Sequence, residues 1–529
     1  MYFNVFQLSR KKKFVLFFSF LFAIAQATGY FLDSVNPIND WSVLDFFLWV
    51  TLILCILIIT YTIILHICTI FDVKCFKVFQ FSDYKKYYIF SFIIIIFSYI
   101  LIWLAYYPGI LNYDPIQIDN FLNKEFHSDQ PLLHTLYLGF LYIIGNNFAN
   151  HNISLVLNCF VQIIMLSLIF SYICVFVLKT TKSMIFYYFS VIFYAFFPFN
   201  PLLAISTTKD IIFTGLVLIV ILLFYRILEK TIKINIKQFF TLIFLCLLML
   251  LFRINAFISW IFFLIIIILL ALFNNNILKI VEINVFVLIL YLLVNSALIN
   301  ILNSASVSIF HCLSIPSVQI GRLYYMDIVD QDDRNLIKKI FRVDDGVYNQ
   351  YLADGVSDCF YIEKYSLFEI LYTCFRMFLL YPKASLDSIL YLHKGTYYLL
   401  DKSHSQVYGF GMLNMQGYLP TNTFIEYDIY PNSKIKFLKN IMEHLYSNNE
   451  YQKNPFLLIL FSPAFYNWLL IGAFFILVYK RDTNKLASFS FLLTIILTNI
   501  FGPCTIVRYY FPIMTSIPLI YASIFKIDK

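Results

Sequence analysis

Apolar runs close to twenty residues long recur through most of this 529-residue chain, separated by short polar loops in which lysines and arginines gather. A helix needs about 20 such residues to cross a hydrocarbon core of roughly 30 Å. Runs at 14–32, 43–67, 88–106, 153–178, 185–197, 239–252, 257–273, 281–302, 456–479, 486–501 and 509–525, with the one that follows Asp210 and ends at Arg226, predict about twelve spans. The stretch 132–147 is only mildly amphipathic and is interrupted by Gly139 and Gly145, so it predicts a helix lying at the interface. Short alternating segments of the kind that build a membrane barrel are not the pattern here.

The basic loops set the direction of each crossing. The block at 10–13, the loop with Lys74, Lys77, Lys85 and Lys86, and the clusters Lys179/Lys182, Arg226 to Lys237, Lys480/Arg481 and Lys526/Lys529 alternate with acidic or neutral loops. Positive residues stay in the cytoplasm, so both termini are expected inside and the loops at 107–135, 206–210, 253–255 and 502–508 outside. Ala25-Gln26-Ala27 resembles a cleavage site, but the apolar run continues past it and reads as a retained helix. From 303 to 455 charges, Gly, Pro, Asn and Tyr rise and no run is long enough to span. Four regions result: an N-terminal helix pair with a basic inner loop (1–87), a transmembrane core (88–302), an extracytoplasmic domain (303–455) and a C-terminal group of three spans (456–529). Within the outer domain, 330–341 carries acids first and lysines later, as a capped surface helix does. The aromatic segment 381–400 reads as amphipathic and able to lie on the membrane.

Composition agrees with this pattern. Hydrophobic residues make up 61% and charged residues 13% of the chain, against roughly 25% charged in soluble domains. The net charge of +8 belongs to the inner loops and to insertion, and calls for no nucleic-acid partner. Of the ten cysteines, Cys55, Cys68, Cys159, Cys174 and Cys246 lie in apolar runs without the spacing of a zinc site. Cys312, Cys359 and Cys374 lie in the outer region, where an oxidising compartment would let them pair.

Chemistry points to the outer face. The loop 107–135 holds Asp114, Gln117, Asp119, Glu125, His127, Asp129 and His134, and separate outer loops supply Lys209-Asp210, Arg253 to Asn255, and Arg508. Charges at membrane depth are costly and mark sites or pathways; the bland alternative is a set of solvated or snorkelling interfacial residues. A single carboxylate can accept the proton of an attacking hydroxyl in a displacement at a sugar carbon, and Asp114 is the candidate base. Lys209, Arg253 and Arg508 suit a lipid phosphate, with Asn255, Gln117 and His134 as further substrate-binding candidates. Asp114, Asp210, His127 and Asp129 are the residue types that hold a divalent cation, Mg or Mn, although HSDQPLLH lacks the spacing of a helical zinc motif. No phosphate-binding loop is present, which argues against an ATP-driven pump.

The ordered set YPGILNYDPIQ, HSDQPLLHT, STTKD, FRINAF, IPSVQIGRLYY and GPCTIVRYYFP resembles a bacterial family of polytopic membrane proteins defined by a domain of unknown function and similar in layout to the GT-C glycosyltransferases. The resemblance runs from about 100 to 518 and leaves the first two spans as an N-terminal addition. It implies an all-α, GT-C-like polytopic transmembrane helix bundle with a mixed extracytoplasmic domain, in the bacterial plasma membrane. It also implies that Asp114 is base or metal ligand and that Asp210 is the second acidic position. The donor would be a sugar on polyprenyl phosphate and the acceptor an extracytoplasmic glycan, glycolipid or protein. Asp114 is followed by Pro115 and not by a second acid, which departs from the protein mannosyltransferases. A polysaccharide polymerase and a transporter or flippase of lipid-linked sugars are the competing expectations.

Overall fold

In the computed structural model every predicted apolar run is helical, one of them in two pieces, because a run with no water to satisfy its backbone must satisfy it internally. The structure describes residues 10–34, 37–72, 83–111, 116–128, 130–148, 150–231, 235–305, 313–342, 348–402, 429–447 and 450–525. The helices are α1 (Arg10–Ser34), α2 (Val43–Asp72), α3 (Tyr84–Ala105), α4 (Ile116–Leu122), α5 (Leu132–Asn147), α6 (Asn152–Thr181), α7 (Met184–Phe196) and α8 (Phe199–Ala204). They continue as α9 (Asp210–Leu228), α10 (Ile236–Phe252), α11 (Asn255–Ala271), α12 (Leu278–Ile301), α13 (Ser314–Tyr325), α14 (Gln331–Ile340), α15 (Leu367–Leu380) and α16 (Pro382–Leu392). The last are α17 (Lys394–Tyr397), α18 (Lys436–Ser447), α19 (Pro455–Phe461), α20 (Pro463–Lys480), α21 (Thr483–Ile500) and α22 (Val507–Ile524).

Seven of these, α1, α2, α3, α6, α9, the helix through Leu278–Ile301 and α20, are long and apolar enough to cross a membrane. Helices α7, α10 and α11 are apolar but shorter, and the predicted span from 456 breaks at Ser462-Pro463 into α19 and α20. Proline there removes an N–H donor but is tolerated in a first helical turn.

The main core gathers α3, α6, α7, α9, α10, α11, α21 and α22, with α9 at its centre. Buried tyrosines tie it together through their hydroxyls: Tyr99 donates to the Tyr194 carbonyl at 3.1 Å, and Tyr194 to the Thr515 carbonyl at 2.7 Å. Satisfying each hydroxyl removes the cost of burying it and leaves the packing gain. Helices α1 and α2 form a hairpin around Ala23, Ala27 and Ile53, and α1 presses Phe14, Phe18 and Phe22 onto Phe475 and Trp468 of α20.

The region after α12 has its own small core, with Ile320, Leu323, Ile337, Ile370 and Met377 from α13, α14 and α15. Its predicted capped helix is α14: Asp330 accepts from the Asp333 N–H at 2.9 Å, and Lys338 and Lys339 close the last turn. The expected mixed character differs from the structure, for the described part is helical with only isolated bridges such as Phe341 to Phe360. Cys359 and Cys374 are free thiols inside this core; Cys312 lies outside the described residues.

The segment 381–400 also differs from its expectation. Asp387, Tyr391, Leu392, His393 and Lys394 are buried against α13, α1 and α20, so it is an internal joint. Gly29 of α1 makes the joint possible, since a Cβ there would lie 2.2 Å from Cγ of Tyr398. Rotation of the ring does not move that atom. Gly29→Ala is therefore expected to lower stability by about 1–3 kcal/mol, read by thermal unfolding in detergent, with partial recovery in a Tyr398→Gly background, since the Tyr398 Cβ itself would lie 2.5 Å away; a variant melting like the wild type would show that the helices part without cost.

Candidate functional site at the N-terminal end of α9

Asp210 is the first residue of α9, where unpaired N–H groups and the helix dipole favour negative charge. The segment before it is sewn to the acidic loop: Ile110 N–H donates to the Ile205 carbonyl at 2.8 Å and Thr207 N–H to the Ile110 carbonyl at 3.1 Å. Gly109 allows that approach, because a Cβ there would lie 2.5 Å from Cys159 Sγ. Asn158 of α6 adds a third tie by donating to the Ser206 carbonyl at 3.1 Å.

Two arginines reach Asp210 from distant parts of the chain. α10 ends at Phe252 and α11 begins at Asn255, leaving Arg253 in extended backbone between them. Its Nη1 hydrogen-bonds and ion-pairs with Asp210 Oδ1, and its guanidinium carbon lies 5.1 Å from the ring centres of both Phe213 and Tyr509. Arg508, in the first turn of α22, places Nε 3.6 Å from Asp210 Oδ2 and its guanidinium carbon 5.3 Å from the Tyr509 ring. Asp210 is 0% exposed, Arg253 5% and Arg508 9%. Aromatic faces on the guanidinium planes compensate part of the lost hydration.

No family model, curated protein or solved structure matches the chain. Site chemistry alone bears on function.

A second polar network adjoins the first in sequence. Lys209 Nζ donates to Gln130 Oε1 at 2.8 Å, Gln117 Nε2 approaches the same oxygen at 3.3 Å, and Gln117 Oε1 lies 2.6 Å from His134 Nδ1. Thr135 Oγ1 joins at 3.3 Å. Gln117 and His134 are both buried, which requires such pairing. Lys209, Gln117 and His134 thus belong to one network spanning the acidic loop and the start of α9.

The remaining candidates fall elsewhere. Asp114 and Asp129 lie outside the described residues. Asn255 is exposed at the start of α11 and stands apart from the buried arginine cluster. His127 is exposed and pairs through its backbone with Ala305 at the end of α12. Among the described residues no three His, Cys, Asp or Glu side chains come close enough to hold a metal ion. Asp210 faces two guanidiniums, whose charge opposes a cation at that oxygen pair.

One constellation carried no signal in the sequence. Lys394 of α17 is 0% exposed; its Nζ hydrogen-bonds Asp33 at the end of α1 and lies 3.2 Å from Asp401 Oδ1. Burial alone would push this ammonium down, but Asp401 and Asp33 outweigh it and hold Lys394 above the ordinary lysine value. Beside it, Asp387 accepts from the N–H groups of Ile38 and Asn39 at 2.8 and 3.1 Å and lies 3.7 Å from Arg322 Nη2. Burial raises the Asp387 carboxyl, against the pull of those two N–H groups and of Arg322. Lys394 looks like an ordinary lysine in an aromatic segment, and its partner Asp33 is 361 positions away.

Proposed function

We propose that this chain is a membrane glycosyltransferase of GT-C type, moving a sugar from a polyprenyl-phosphate donor to an extracytoplasmic glycan, glycolipid or protein. The observation that carries the reading is the convergence of Arg253 and Arg508 on Asp210, beside Lys209, where loop 107–111 is sewn to 205–207. Two guanidinium charges thus meet at one buried carboxylate, while Lys209 Nζ is turned to Gln130. A carbohydrate donor that leaves a lipid phosphate needs positive charge at its leaving group. Asp210, engaged by both guanidiniums, acts in this reading as the residue that positions them, and Asp114 is the general base. The proposal includes twelve spans, both termini in the cytoplasm, a bacterial plasma membrane and an extracytoplasmic domain after α12.

Asp114→Asn is expected to insert and fold normally while sugar transfer falls by about 10²–10⁴-fold, the usual contribution of a positioned base. The assay is release of free polyprenyl phosphate from a labelled donor by purified protein in nanodiscs. Full transfer by a normally folded variant would remove Asp114 from the mechanism. A polymerase would instead depend on Arg508 more than on Asp114, which the pair Arg508→Ala and Asp114→Asn separates. A flippase would release no polyprenyl phosphate yet move lipid-linked sugar across vesicles.

A further inference from the structure

We infer that α15 is a membrane-interface helix, its outer face covered by the bilayer that surrounds α2. This inference rests on the multi-pass reading and not on sugar transfer.

Helix α15 is apolar on two opposite faces. Ile370, Cys374 and Met377 point into the small core after α12. Phe368, Leu371, Tyr372, Phe375 and Leu379 recur at three- and four-residue intervals on the other side and are exposed, Phe368 at 77% and Phe375 at 60%. Glu369 and Arg376 lie between the two faces. A helix apolar all round is normally enclosed, and a contiguous exposed stripe of this size marks an interaction surface.

The bilayer as occupant follows from what α15 adjoins. It packs on α16, and Asp387 of α16 is hydrogen-bonded to Ile38 and Asn39 in the turn between α1 and α2. α2 has only 6% of its apolar window buried, and its first turns, from Val43 through Leu48, already expose large apolar side chains. The membrane boundary therefore falls near the start of α2, where Trp41 and Trp49 lie 5.7 Å apart as tryptophans do at an interface. α16 reaches that boundary through its bonds to the α1–α2 turn, and α15 packs directly on α16. Phe, Tyr and Leu on the free face, with Arg376 at its edge, are the side chains that enter a headgroup and acyl boundary.

The test uses the full chain in nanodiscs, with Phe375→Trp on the proposed face and Lys339→Trp on exposed α14 as control, each read as a difference from the wild type. The indole at 375 is expected to emit to the blue and to be quenched roughly two-fold by lipids brominated near the headgroup, less by lipids brominated deep in the chain, given a depth of about 5–10 Å. The control should be unquenched. Tyr372→Trp gives the same readout if the first variant fails to fold. A solvated emission at 375 and 372 overturns the inference. Blue-shifted emission without lipid quenching also overturns it, and assigns the face to protein, whether a second copy or a partner. An inactive but lipid-quenched protein would fault the glycosyltransferase reading alone.

Discussion

Asp210→Ala is expected to destabilise the protein by about 3–5 kcal/mol, the cost of leaving buried charge without its partner. Arg253 and Arg508 would then lose the carboxylate they share, inside the bundle and against the rings of Phe213 and Tyr509. Sugar transfer should fall as well, by about 10²–10³-fold if the guanidiniums stabilise a leaving phosphate. Two measurements separate these effects. Thermal unfolding in detergent reads the first, and transfer below the melting point reads the second. Asp210→Asn combined with Arg253→Gln removes one charge of each sign and should recover much of the melt without recovering transfer. A single Asp210→Ala variant melting like the wild type would show that the cluster contributes nothing to the fold.

Lys394→Met should be as severe. It removes the cation from a site where Asp401 is 2% exposed and Asp33 partly exposed, and the carboxylates deprived of it again cost about 3–5 kcal/mol. The loss should appear first as release of α1, since Asp33 is one of the side chains that tie α1 to α17, with the Gln26 side chain donating to the Tyr397 carbonyl at 2.6 Å and accepting from the Leu399 N–H at 3.0 Å. Limited proteolysis between α1 and α2 reads that release directly. Adding Asp33→Asn and Asp401→Asn to Lys394→Met should restore part of the stability. The sign of the pH dependence follows from the raised lysine. A cation held above its unfolded value contributes its full stability below about pH 10.4 and loses it as pH rises through the folded value. The difference in stability between wild type and variant should therefore be flat from neutral pH upward and shrink only in strong alkali. A difference that vanished near neutrality would mean Lys394 is not held as a cation.

Helix positions were readable because hydrophobic period and length are local properties. Each apolar run is helical, with ends within a few residues of those expected apart from the break at Ser462-Pro463, and the cap at Asp330 was visible as acids followed by lysines. The outer-loop candidates were readable as a set, since a charged residue amid apolar runs is conspicuous, but the set did not say which members touch. Arg253 and Arg508 meet Asp210, whereas Asn255, two positions from Arg253, is exposed at the start of α11. The error over 381–400 has the same origin. Its amphipathic pattern implied one apolar and one polar side, but solvent and the rest of the protein can each occupy the polar side. The structure shows the latter, with Asp387 and Lys394 turned onto the chain's own Ile38, Asn39 and Asp33.

Sequence by itself determined that this is a multi-pass helical protein with its conspicuous charged residues in the connections between helices, because apolar length and basic-loop alternation act through solvent transfer residue by residue. Tertiary structure alone decided that Asp210 organises two arginines, that Lys394 clamps the first helix, and that α15 and not the segment after it keeps an apolar face free. Those outcomes depend on which distant helices pack together, and a buried charge finds its partner through that packing, which leaves no local mark in the chain.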